Sequence, residues 1–130
     1  MNVIVGYRPT PEGIAALDRA VEEARRADAR LLVINSAEEP TDAPEPISAE
    51  LGADALAERL TADGISHDIR QLAVDDDPAE AILASVGDAS RDLIVIGLRR
   101  RTPVGKMITG SVAQEVLLGA DCPVLAVKGS

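Results

Sequence analysis

Four short apolar runs constrain this chain more than any other feature. Residues 2–7 (NVIVGY), 30–35 (RLLVIN), 92–98 (DLIVIGL) and 123–128 (PVLAVK) are nearly continuous in aliphatic, largely β-branched residues. A strand with one wet face alternates apolar and polar residues, whereas a continuous run is covered on both faces. Amphipathic stretches separate the runs, so the pattern predicts an α/β chain with a parallel sheet sandwiched between helices. Apolar residues make up 46% of the 130 positions, enough for a buried core without disulfides or metal. That length predicts one domain over residues 1–130.

The helices announce themselves by their ends. Thr10 is the expected N-cap of the first, with Pro11 at the first helical position and Ile14, Leu17, Val21 and Ala24 along its inner face. Residues 37–47 are acidic, contain three prolines and read as an exposed loop. Ser48 opens a second helix with Leu51, Ala55, Leu56 and Leu60 inward, ending near Gly64. Residues 66–74 form a weaker, alternating strand suited to a sheet edge. Asp77-Pro78-Ala79-Glu80 has the form of a capping box before a third helix, whose apolar face is Ala79, Ile82, Leu83 and Val86. A fourth helix runs from Ser111 to Leu118, with Val112, Val116 and Leu117 inward. The order is β-α-β-α-β-α-β-α-β.

A doubly wound sheet of this kind binds ligands at the carboxyl ends of its strands, where strand order reverses. The first and fourth strands flank that point, which brings the Gly6-Tyr7-Arg8 segment opposite the loop after Gly97. This loop holds the densest positive charge in the chain. Arg99, Arg100, Arg101 and Lys106 are four of 13 Lys and Arg residues, on a protein of net charge −9. The overall acidity excludes nucleic acid as a general partner, and the local cations point to a small anion. Gly110-Ser111 follow and open the last helix. Ser111 with Gln114 reads equally as a plain capping box or as a phosphate cradle of N–H groups and hydroxyl; the neighbouring cations favour the cradle.

Several chemistries fail on residue type. A Walker loop needs glycine where Arg100 stands and Ser or Thr where Met107 stands. The dinucleotide fingerprint needs three glycines after the first strand, and only Gly6 is present. The lone His67 reads as a surface residue with no metal partner, and no nucleophile elbow occurs. Asp75, Asp76 and Asp77 read as a loop and an N-cap in preference to a metal site. Cys122, the one cysteine, reads as a small buried hydrophobe. With a single tyrosine and neither Phe nor Trp, Tyr7 is the only residue that could stack on a base. No apolar run approaches membrane-spanning length, so the expected compartment is the cytoplasm.

The chain resembles the universal stress protein family over nearly its full length. The resemblance rests on the strand and turn of residues 3–20, on Asp-Pro-Ala-Glu-Ala-Ile at 77–82, and above all on Gly-Ser-Val with Cys-Pro-Val-Leu-x-Val at 110–127. It implies a five-stranded parallel sheet in the order 3-2-1-4-5, an adenine nucleotide alpha hydrolase-like arrangement, and commonly a homodimer. One branch of the family binds ATP through Gly, two residues, Gly, nine residues, then Gly and Ser or Thr. Gly97, Gly110 and Ser111 keep that spacing, and Arg100 replaces the second glycine. Arg8 stands where that branch places an Asp. By this resemblance the base lies near Gly6 and Ser36 and the phosphates near Gly97, Gly110, Ser111 and Val112; Tyr7, Arg8, Ile96, Arg99 and Arg100 complete the expected nucleotide-binding set.

The expected function is a regulatory module binding ATP, AMP or cyclic AMP, with magnesium left undecided. The alternative is a ligand-free dimeric stress scaffold acting through protein partners. No general base stands near the phosphates, so enzymatic activity is at most a slow ATPase. The fifth strand, an edge in the implied order, carries Val124, Leu125, Ala126 and Val127 with no charge before Lys128; pairing with a second copy would cover it.

Overall fold

The computed structural model describes residues 1–36, 53–73, 75–98 and 111–129. Five strands are present among them: β1 (Asn2–Tyr7), β2 (Arg30–Asn35), β3 (His67–Gln71), β4 (Leu93–Leu98) and β5 (Val124–Lys128). The helices are α1 (Pro11–Ala27), α2 (Ala53–Ala62), α3 (Pro78–Ala84) and α4 (Ser111–Gly119). All strand pairs are parallel, and the sheet order is β3-β2-β1-β4-β5, as the resemblance implies. The chain therefore reverses direction across the sheet between β1 and β4, which pair through Val3–Leu93, Ile4–Ile94 and Val5–Val95.

Alternation along each strand divides the core in two. Val3, Val5 and Tyr7 of β1, Leu31 and Val33 of β2, and Val95 of β4 pack with Ala16, Leu17, Ala20 and Val21 of α1 and with Leu56 and Leu60 of α2. On the opposite face Ile4, Ile34, Ile94 and Ile96 pack with Ala79 and Ile82 of α3 and with Ala113 and Val116 of α4. Residues 37–52 fall outside the described set, and with them Ser48, Leu51 and the acidic loop; the Ala55 side chain does too.

The helix ends follow their sequence signals. The Thr10 hydroxyl accepts from the Gly13 N–H at 3.1 Å. The Asp77 carboxylate accepts from the Ala79 N–H at 3.0 Å and the Glu80 N–H at 3.4 Å. Each cap satisfies donors that the first helical turn leaves without an intrahelical partner. Gly64, at φ 72°, takes the left-handed conformation just beyond α2.

Two inner-face assignments need correction. Ile14 is 36% exposed and Leu117 45% exposed. In α1 the buried stripe is centred on the small residues Gly13, Ala16 and Ala20, which let the helix lie close to the sheet and turn Ile14 to its flank. In α4, Ala113 and Val116 hold the centre in the same way. The third strand is also shorter than residues 66–74, although it lies at the expected edge. His67 is half-buried, not a free surface residue, with Nδ1 2.8 Å from the Ile65 carbonyl.

Candidate nucleotide-binding cleft

The core on the α3/α4 face thins toward the carboxyl ends of β1 and β4. A cleft of about 130 Å³ opens there, between the starts of α1 and α4. Its floor is apolar, formed by Ile82, Ile96, Val112 and Ala113. Its rim is polar, formed by Arg8, Thr10, Glu12, Ser36 and Ser111. Gly6, Gly13 and Gly97 complete the lining. An apolar floor with a few converging polar groups is the usual make-up of a small-molecule site.

The strands position these groups by register. Gly6 aligns with Ile34 of β2, and the Ser36 N–H donates to the Tyr7 carbonyl at 3.2 Å, which holds Ser36 at the cleft. The Gly6 Cα faces Ile82: a Cβ there would stand 2.7 Å from Ile82 Cδ1. At Gly97 a Cβ would overlap the Glu12 carbonyl, so this glycine makes room for the first turn of α1. The Thr10 N–H donates to the Arg8 carbonyl at 2.8 Å, tying the arginine that follows β1 to the cap of α1.

The structure thus brings Gly6, Arg8, Ser36, Ile96, Gly97, Ser111 and Val112 into one cleft. Arg99, Arg100 and Gly110 lie outside the described residues, as do Arg101 and Lys106. Tyr7 does not join the others. It is 1% exposed and packs into the core beneath α1 and α2, on the opposite face, so it cannot stack on a base in the cleft. The strand period of two puts it there: if Gly6 faces the cleft, Tyr7 faces away. Ser111 is the first helical residue of α4, not the residue before it, so its N–H is among the donors at the open end of the helix.

Thr10, Glu12, Gly13, Ile82 and Ala113 line the cleft without having been singled out for it. The signal was present in the Thr10 cap and in the Ile82 position on the apolar face of α3. Thr10 serves both helix and cleft, and Ile82 both core and cleft.

Other candidate groups have structural duties. The Asp76 carboxylate accepts from the Ala73 N–H at 2.8 Å, and Asp77 caps α3. No group of three potential metal ligands occurs among the described residues. Cys122 is buried, and burial, the largest influence on it, raises its thiol pKa above the ordinary 9.0. Asp92, 3% exposed, stands immediately before β4, at the end of the sheet away from the cleft. Its carboxylate accepts from the N–H groups of Asn2 (2.9 Å), Gly87 (2.9 Å) and Asp88 (3.0 Å). Burial pushes its pKa up, but these three donors together with the positive charge of the N-terminus outweigh burial and hold the group below the ordinary 3.8.

The family model for the universal stress protein family matches residues 1–128. The chain belongs to the universal stress protein family. A universal stress protein from Mycolicibacterium smegmatis is 41% identical over 128 residues, covering 97% of this chain and 96% of that one. The universal stress protein from Archaeoglobus fulgidus superposes with a TM-score of 0.71 at 27% identity, over 98% of both chains. A universal stress protein solved in complex with cAMP superposes with a TM-score of 0.69 at 25% identity, covering 100% of this chain and 98% of that one. These two solved universal stress proteins share the fold of this chain. No helix among the described residues is long and apolar enough to cross a membrane.

Proposed function

We propose that this universal stress protein is a regulatory module that binds an adenine nucleotide in the cleft between β1 and β4. The observation that carries the reading is the meeting of Arg8, Ser36 and Ser111 around an apolar floor at the point where strand order reverses. A nucleotide joins a base to an anionic phosphate, and the lining offers apolar surface for the one and a cation and hydroxyls for the other. In this reading Ile82, Ile96 and Ala113 take the base and sugar, and the Ser36 hydroxyl supplies a polar contact. The Arg8 guanidinium and the first-turn N–H groups and hydroxyl of Ser111 take phosphate. The related protein solved with cAMP supports a nucleotide ligand of this class.

Which nucleotide is preferred is part of the proposal to be tested. Calorimetric titration with ATP, ADP, AMP and cyclic AMP, with and without magnesium, is expected to show saturable binding of at least one. Arg8→Ala and Ser111→Ala should weaken it, as should added salt. Absence of heat for all four at millimolar concentration would overturn the reading.

The same module is proposed to form a homodimer through β5, an edge strand with Ala126 and Lys128 exposed. Leu125 and Val127 are half-buried against the α1 face, and no other strand among the described residues pairs with the outer backbone edge of β5. Antiparallel pairing about a two-fold axis would satisfy that edge. Sedimentation is expected to give twice the chain mass, and only monomer at micromolar concentration would contradict it.

A further inference from the structure

One wall of the cleft is seated by a residue that no motif marks. The first turn of α1 carries Thr10, Glu12 and Gly13 into the lining. Its main chain rests against glycines from two neighbouring strands. Gly97, near the end of β4, makes the first contact described above. Gly129, directly after β5, makes the second: a Cβ there would stand 2.7 Å from the Glu12 nitrogen and 2.8 Å from its Cα. Both atoms are backbone, so no side-chain rotation could relieve the overlap. Gly129 is itself buried and held, because its N–H donates to the Leu98 carbonyl at 3.0 Å.

The turn resting on Gly129 is tightly tied together. The Gly13 N–H donates to the Thr10 hydroxyl, the Ile14 N–H to the Thr10 carbonyl at 2.9 Å, and the Thr10 N–H to the Arg8 carbonyl. A push on Glu12 is therefore passed through Thr10 to Arg8, the cation at the cleft rim. Overpacking in a close-packed region is relieved by backbone shifts.

We propose that Gly129 is a positioning residue for the cleft: its lack of a side chain sets how deeply the first turn of α1 sits, and so where Arg8 meets an anionic ligand. Residue 129 lies one position beyond the residues matched by the family model. The affinity part of the claim rests on the nucleotide reading; the part about the seat of α1 does not.

The test uses Gly129→Ala, Gly129→Val and the chain ending at Lys128, with Gly119→Ala as a control. A Cβ at Gly119 would press on Leu83 Cδ1 at 3.0 Å, and neither residue lines the cleft. Amide shifts and hydrogen exchange of Glu12, Gly13 and Ile14 are read by NMR, and affinities for AMP, cyclic AMP and ATP by calorimetry. The Ala and Val variants should shift those amides in order of size. The shortened chain should speed their exchange. The Gly119→Ala control should do neither. Nucleotide affinity should fall about tenfold in Gly129→Ala and further in Gly129→Val.

Unshifted first-turn amides in Gly129→Ala, or unchanged exchange in the shortened chain, would overturn the proposal. So would an equal loss of affinity in the Gly119→Ala control. If the unaltered protein binds none of the nucleotides, the functional reading falls, and the amide measurements still decide the role of Gly129.

Discussion

Beneath α1 and α2, the sheet face is filled along its length: Val3, Val5 and Tyr7 succeed one another down β1, each essentially without solvent contact. On the face beneath α3 and α4, the isoleucine layer of Ile4, Ile34 and Ile94 gives way to Gly6, Ser36 and Ile96 at the carboxyl ends, where the cleft opens. The two faces use the same aliphatic residue types. Side-chain size near one end of one face separates a sealed core from a binding site. The α1/α2 core around Leu17, Leu56 and Leu60 should therefore contribute stability alone, while the α3/α4 face and the first turn of α1 also serve recognition.

The largest expected effect tests the sealed face. Leu60→Ala removes a fully buried side chain from α2 and should cost about 2–5 kcal/mol in urea unfolding, with nucleotide affinity of the folded protein unchanged. An affinity loss there would break the division between faces.

Next comes Asp92, at the end of the sheet away from the cleft. Asp92→Ala leaves three backbone donors without their acceptor and should cost about 1–3 kcal/mol, again with affinity unchanged. Its folded pKa is held below 3.8, so its stabilisation is complete above that value and is lost as pH falls through the folded pKa. Urea midpoints measured from pH 6 down to pH 3 should fall more steeply in the unaltered protein than in Asp92→Asn.

Ile82 sharpens the comparison because it belongs to both core and cleft. Ile82→Val should cost only about 0.5–1.5 kcal/mol but should change nucleotide affinity, which Leu60→Ala does not. The smallest effect is expected at the far sheet edge. Arg30 and Asp68 pair at 2.7 Å there with both side chains about half exposed, and Arg30→Ala should cost about 0–1 kcal/mol without touching affinity.

Much of this was legible in the sequence, for identifiable reasons. Continuous β-branched runs gave the buried parallel strands, because two covered faces leave no place for alternation. Thr10 and Asp77 gave helix starts through hydroxyl and carboxylate geometry that acts over three residues. Gly6 and Gly97 stand out locally as glycines at strand ends, whereas Ser36 is reached only through the family resemblance. Three other outcomes depended on distance. Ile14 and Leu117 turned outward because small residues chose the helix face closest to the sheet, and periodicity counts apolar residues without weighing size. Tyr7 is the only residue able to stack on a base, yet it lies in the core on the opposite face, because the phase of a continuous apolar strand cannot be read from the strand alone. The seat of Glu12 on Gly97 and Gly129 joins residues more than 80 positions apart, which no local spacing records.

The sealed position of Tyr7 has a practical consequence. With no tryptophan and no phenylalanine, the near-ultraviolet spectrum of this protein comes from one phenol ring. That chromophore sits in the core on the side of the sheet away from the cleft. Its signal will follow melting of the hydrophobic interior closely and will stay silent when a small molecule enters the crevice.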